Sequence, residues 1–306
     1  MLIGVDIGGT KCAVVLAEKN GEIREKIGFP TTGRDETLHR LSAAVSSLAR
    51  KEAVSAVGIS CGGPLDAAAG LILSPPNLPE WDRVPVAKLM AEAAGAPAAL
   101  CNDANACALA EWRYGAGRGA RNLIFLTFGT GLGAGLILDG RLYEGSTGNA
   151  GEAGHIRLAS RGPVGYGKAG SFEGFCSGGG IARLAEEAAK KALARGETVP
   201  WAAHITAKTV GDAAEAGDPL ALSVYRRSGR MLGKGLAILA DLFDPEVIVI
   251  GSVFARSEGL FRPEMERAFR KETLNAAAVR IVPAALGDKL GDVAAVAVAA
   301  RMGEAR

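Results

Sequence analysis

Ile3-Gly4-Val5-Asp6-Ile7-Gly8-Gly9-Thr10-Lys11 is the stretch that decides the fold. Its apolar, β-branched run reads as a strand. It carries one acid, Asp6, and breaks into a glycine pair. A second apolar run, Cys12 to Leu16, follows at once, so the unit is strand, tight glycine turn, strand. Glycines let such a turn take φ > 0 and let another group approach the backbone. Thr10 adds a hydroxyl, Lys11 a cation, and the turn amides point outward, a combination that suits a polyphosphate. The plain alternative is an ordinary hairpin with a lysine at its tip.

The pattern recurs. Leu123 to Phe128 is apolar, Gly129-Thr130-Gly131-Leu132-Gly133-Ala134-Gly135 is the turn, and Leu136 to Leu138 is the next run. Even the trailing turn repeats, Asn20-Gly21-Glu22-Ile23 in one copy and Asp139-Gly140-Arg141-Leu142 in the other. Two such units in one chain imply a duplicated domain, with two glycine turns able to face each other across a cleft.

Between and after these units, strands alternate with helices. Glu22 to Phe29 reads as a third strand. Residues 35–52 place Leu38, Leu41, Val45 and Leu48 at amphipathic-helix spacing. A strand over 53–61 ends in Gly62-Gly63-Pro64. Three prolines between Ser74 and Trp81 exclude regular structure there. Helices are expected over 87–94 and 104–114, with a short strand over 98–101. Further on, helices are expected over about 178–195, 207–216, 218–243, 259–272 and 291–302, and strands over 246–251 and 279–282. The alternation predicts an α/β protein.

A chain of 306 residues can bury two cores. Net charge is +2 with no basic block, so no nucleic-acid footprint shows. The first strand begins at residue 2, which leaves no room for a signal peptide. No apolar stretch is long and glycine-free enough to span a membrane. Five scattered cysteines in mostly apolar settings are expected to be reduced, in a cytoplasmic protein.

Asn102-Asp103 stands where a strand ends and a helix begins. A carboxylate there either caps the helix or takes a proton from a hydroxyl held in the cleft. Glu152-Ala153-Gly154-His155 sets an acid and an imidazole three apart, and Glu173 adds a second acid; such groups pair with the hydroxyls of a sugar ring. The plain readings are a loop ion pair or a metal site. Tetrahedral zinc wants four ligands, and only His155 and a solitary Cys176 are near. Gly162 to Ala169 nearly matches a phosphate-binding loop, but Ala169 replaces the needed hydroxyl and no strand leads in. The turn at 129–135 is not a dinucleotide fingerprint either.

Asp6-Ile7-Gly8-Gly9-Thr10-Lys11, Asn102-Asp103-Ala104-Asn105 running into Ala108-Leu109-Ala110-Glu111, Gly129-Thr130-Gly131-Leu132-Gly133 and Gly151-Glu152-Ala153-Gly154-His155 together resemble the ROK family (repressor, open reading frame, kinase) of the actin-like ATPase superfamily. The resemblance runs from residue 3 to the last helix. It implies two ribonuclease-H-like α/β domains with an interdomain cleft: residues 1–113 plus 288–306, and residues 114–287. It implies an ATP-dependent kinase acting on a hexose hydroxyl, most often O6 of glucose, with an N-acetylmannosamine kinase as the alternative. A sugar-responsive regulator ranks behind both, because no helix-turn-helix precedes the first strand. A polyphosphate or acyl-phosphate enzyme on the same core is a further rival.

Carried over residue by residue, the resemblance implies that Gly8, Gly9, Thr10, Lys11, Gly129, Thr130, Gly131 and Gly133 bind ATP phosphates. Gly251 and Ser252 would lie near the adenosine. Asp103 would be the catalytic base, Asn102, Glu152, His155 and Glu173 would hold the sugar, and Gly63 and Asn77 would line it. Asp6 would act through water on Mg²⁺. A homodimer is also implied. One departure stands out: the family's zinc motif C-x-C-G-x-x-G-C-x-E has Val164, Tyr166 and Ser171 at its cysteine positions here. No structural zinc is therefore expected, His155 is left for the sugar, and Tyr166 and Phe172 are expected to stiffen the loop.

Overall fold

The computed structural model describes residues 1–303. The first half runs β1 (Leu2–Ile7), β2 (Lys11–Ala17), β3 (Ile23–Pro30), α1 (Arg34–Ala49), β4 (Ala56–Cys61), β5 (Leu65–Asp66), β6 (Leu71–Ile72), α2 (Val86–Ala94), β7 (Ala98–Asn102) and α3 (Asp103–Tyr114). The second runs β8 (Leu123–Phe128), β9 (Leu132–Leu138), β10 (Arg141–Tyr143), β11 (Val164–Gly165), β12 (Lys168–Ala169), α4 (Phe172–Phe175), α5 (Gly178–Ala194), α6 (Ala207–Glu215), α7 (Pro219–Phe243), β13 (Val247–Ile250), α8 (Val253–Glu272), β14 (Arg280–Pro283) and α9 (Leu290–Met302).

Two five-stranded sheets result, ordered β3-β2-β1-β4-β7 and β10-β9-β8-β13-β14. In each, three strands form an antiparallel meander and two more join in parallel. Order and direction match strand for strand, so the repeat legible at the glycine turns extends to whole sheets. The fold is mixed α/β and of the actin-like ATPase type.

The helix closing each half leaves its own sheet. Helix α3 follows β7 but packs on β8 and β9; helix α9 follows β14 but packs on β1 and β4. The two helices also meet each other, so they form the layer between the sheets. Glycines make this close approach feasible. A Cβ on Gly58 of β4 would sit 2.1 Å from the Ala295 carbonyl oxygen, and one on Gly135 of β9 would sit 2.5 Å from that of Ala104. Helix α9 answers with alanine and valine, buried on all sides from Asp292 to Ala299. A helix apolar all round belongs in an interior.

Gly133 and Gly135 therefore belong to a strand. The sequence places both in the second turn and begins the strand at Leu136; in fact β9 begins at Leu132, and Gly135 is what lets α3 come close. Helix α8 likewise starts at Val253, six residues before its expected start. The chain kinks at Ser257, where the backbone is non-helical (φ −126°, ψ 30°), and this interrupts the 3.6-residue period. Fully buried Phe254 holds the extra turn in the core beside Phe261. Among the described residues no helix is long and apolar enough to cross a membrane.

Candidate active site

Between the sheets lies a cavity of about 800 Å³, within the range of small-molecule sites. Gly63, Asn77, Asn102, Asp103, Glu152, His155 and Glu173 all line it, together with Gly129, Thr130, Gly131 and Gly133 of the second turn. The residues singled out as sugar ligands thus converge from five separate segments. The first turn does not line this cavity. It abuts the rim instead: a Cβ on Gly9 would lie 2.5 Å from that of Asn77. Thr10 and Lys11 are exposed at its tip. Gly251 and Ser252 lie behind the second turn, with the Ser252 hydroxyl 3.6 Å from a Cβ placed on Gly129. Ser252 has φ 57°, the left-handed region that side chains seldom occupy.

The capping position of α3 is not held by the Asp103 carboxylate. Asn102 is the N-cap of α3, its Oδ1 accepting the Ala104 N–H at 3.0 Å. Asp103 is the first helical residue. Its Oδ1 accepts the same N–H at 2.8 Å, while the side chain opens to the cavity. Crowding by the surrounding protein raises the Asp103 pKa, against the lowering effect of that backbone bond.

Asp6, at the end of β1, points at the first turn of α9: a Cβ on Gly291 would come within 2.8 Å of its Oδ2. Burial first, then the charges of Asp292 and Asp103, push its pKa up to about 6. Asp292, itself buried, is bridged by Lys26 at 2.5 Å.

The loop carrying His155 is braced without a metal motif. Residues 164–169 form the small β11–β12 hairpin, not a phosphate-binding loop. The Lys168 ammonium, which a phosphate loop would spend on its ligand, donates to the His155 carbonyl at 2.7 Å. Ser171 caps α4 by accepting the Gly174 N–H at 3.0 Å. Phe172 is fully buried against Gly235, as the sequence reading expects of it. Tyr166 is not buried: 69% of it is exposed. Its ring meets that of His155 edge-on, 4.9 Å between centroids, and both line the cavity. It walls the site rather than packing beneath the loop. Among the described residues no group of three or more His, Cys, Asp or Glu side chains is arranged to hold a metal ion.

Sequence reading missed several lining residues, among them Asn105, Thr127, Asn149 and Tyr166. Asn105 follows Asn102 by three, one face of one helix, a spacing that was available as a signal. Thr127 accepts the Gly133 N–H at 2.9 Å and so shapes the second turn from inside a strand; nothing local marks it.

A family model described as the ROK family matches residues 2–302. A glucokinase of Streptomyces coelicolor is 33% identical over 312 residues, covering 98% of this chain and 97% of that protein. An N-acetylmannosamine kinase of Shigella flexneri is 34% identical over 265 residues, covering 84% of each. Among solved structures, a ROK family glucokinase from Streptomyces griseus in complex with glucose and AMPPNP matches with a TM-score of 0.79 and 32% identity, over 98% of this chain and 99% of that one. A ROK hexokinase from Thermus thermophilus matches with a TM-score of 0.84 and 31% identity, over 99% of both.

Proposed function

We propose that this chain, which belongs to the ROK family, moves the γ-phosphoryl group of ATP to O6 of glucose or a similar hexose. That it is a sugar phosphotransferase using ATP rests on glucokinase relatives along nearly its full length. The observation carrying the finer reading is the convergence of Asp103, Asn102, Glu152, His155 and Glu173 with the second glycine turn on one cavity.

In this reading the lobes are residues 1–113 with 288–306, and residues 114–287, with α3 at the end of the first range seated on β8 and β9 of the second, and with sugar and nucleotide meeting between them. Asn102, Glu152, His155 and Glu173 orient the ring, and Gly63 and Asn77 border it. Asp103 holds the attacking hydroxyl and accepts its proton as the new P–O bond forms and ADP leaves with the old one. Phosphoryl transfer asks for positioning and charge neutralisation more than covalent chemistry. The Gly8, Gly129, Leu132 and Gly133 N–H groups are spent on Lys11, Gly131, Glu173 and Thr127, so the amides of Gly9, Thr10, Thr130 and Gly131, with the Lys11 ammonium, face the phosphates, and Gly251 and Ser252 border the adenosine. Closure of the lobes keeps water from the γ-phosphoryl group.

Mg²⁺ fits the residues present. Asp6 lies under the fields of Asp292 and Asp103, and such a carboxylate favours a nearby divalent cation. Asp6 would hold it through water, and when bound it would neutralise phosphate charge. A homodimer in a cytoplasmic setting, without nucleic acid, completes the reading. The N-acetylmannosamine alternative rests on relatives of that activity at 34% identity.

The test is ADP release across glucose, mannose, fructose and N-acetylmannosamine. Stimulation by one hexose is expected, and ATP turnover indifferent to all of them would overturn the reading. Light scattering decides the dimer.

A further inference from the structure

The chain passes between the two sheets twice, through residues 115–122 after α3 and residues 284–289 before α9. Glu111 stands where these crossings meet. Its side chain is fully buried, yet the bonds that hold it come from backbone. One carboxylate oxygen accepts the Ala116 N–H at 2.7 Å and the Ala285 N–H at 3.2 Å; the other accepts the Leu286 N–H at 2.9 Å. Ala116 lies on the outward crossing, Ala285 and Leu286 on the return. The Glu111 carbonyl also accepts the Gly115 and Gly117 N–H groups, at 3.1 and 2.9 Å, winding the outward crossing back onto the helix end. Gly115 leaves the carboxylate its room: a Cβ there would lie 2.0 Å from Oε2.

We infer that Glu111 is a positioning residue, a carboxylate staple joining both crossings so that α3 keeps its orientation when the lobes move. Helix α3 carries Asp103 at its first position, two turns from the staple, and rests on β9, which follows the second glycine turn. A tilt of α3 at Glu111 therefore displaces Asp103 relative to that turn. This inference rests on the kinase reading above, because it is the reaction that makes the displacement matter. Three donors need two acceptor oxygens. A glutamine has one, so whichever way its amide turns, an NH₂ group faces at least one backbone N–H.

The test uses the full chain with Glu111→Gln. Hydrogen exchange at the Ala116, Ala285 and Leu286 amides should accelerate while β1 and β8 keep their protection. With the hexose the wild-type chain uses, kcat should fall roughly tenfold or more, with both KM values within about threefold, since misplacement from afar costs rate rather than binding. Gly115→Ala, crowding the same oxygen, should reproduce the split if Glu111→Gln folds poorly. A kcat within about twofold of wild type overturns the positioning role. Loss of protection in β1 and β8 as well makes Glu111 a general stabiliser and overturns it too. A wild-type chain inert toward every hexose overturns the kinase reading and this inference with it; an active wild type with an indifferent Glu111→Gln counts against the staple alone.

Discussion

The Glu173 carboxylate accepts the Leu132 backbone N–H at 3.1 Å. One side chain thus lines the cavity proposed for the sugar and braces the turn proposed for the phosphates. Glu173→Ala should therefore raise KM for sugar and for ATP together. His155→Ala, which has no bond to that turn, should raise KM for the sugar alone. Steady-state kinetics with each substrate varied distinguish the two; a Glu173→Ala chain with unaltered KM for ATP would break the link.

Asp103→Asn keeps the shape and the bond to the Ala104 N–H but removes the proton acceptor. We expect kcat to fall by about 10² to 10⁴, with sugar affinity by calorimetry changed less than about threefold. Undiminished turnover would remove Asp103 from the chemistry.

Acidification should act in opposite directions on activity and on the contribution that Asp6 makes to stability. The Asp103 pKa is raised by its surroundings, so kcat/KM should decline on the acid side at a pH above the ordinary aspartate value. Asp6 ionises near 3.8 in the unfolded chain but at about 6 in the fold. Its ionised form therefore costs stability, a cost absent at low pH and complete above its folded pKa. Asp6→Asn should raise the thermal midpoint at a pH of about 7.5 and leave it nearly unchanged near pH 4, while lowering activity. Equal shifts at both values would contradict the assignment.

Gly58→Ala tests the seat of α9. A methyl 2.1 Å from the Ala295 carbonyl oxygen and 2.3 Å from the Ala299 nitrogen meets backbone on the helix. Overpacking of this kind costs about 1–3 kcal/mol, more where backbone must shift. Denaturant melts should show that loss; a neutral outcome would mean α9 slides freely on its sheet.

Much of this was legible beforehand because both halves repeat their signals. The hairpin at Asp6–Lys11 and its copy at 129–133 predicted duplicate units, and the sheets match strand for strand. Local chemistry exposed Asp103, Glu152 and His155. What stayed hidden was long-range. Gly135 reads as a turn residue until α3 is known to lie on it. Tyr166 reads as packing until the cavity appears beside it. Glu111 reads only as the last residue of a helical motif, with no role attached; the meeting of two crossings, one of them 174 and 175 residues away in sequence, gives it three donors.

The exchange of α3 and α9 between sheets has a consequence for autonomy. Each half lends its closing helix to the other, so neither possesses a complete interior by itself. Severed at the outward crossing, the first half would show a glycine-floored trough where α9 belongs, and the second an apolar scar where α3 lay. Such fragments should recover structure only on being mixed, and the intact protein should melt as one body in spite of its two-part plan.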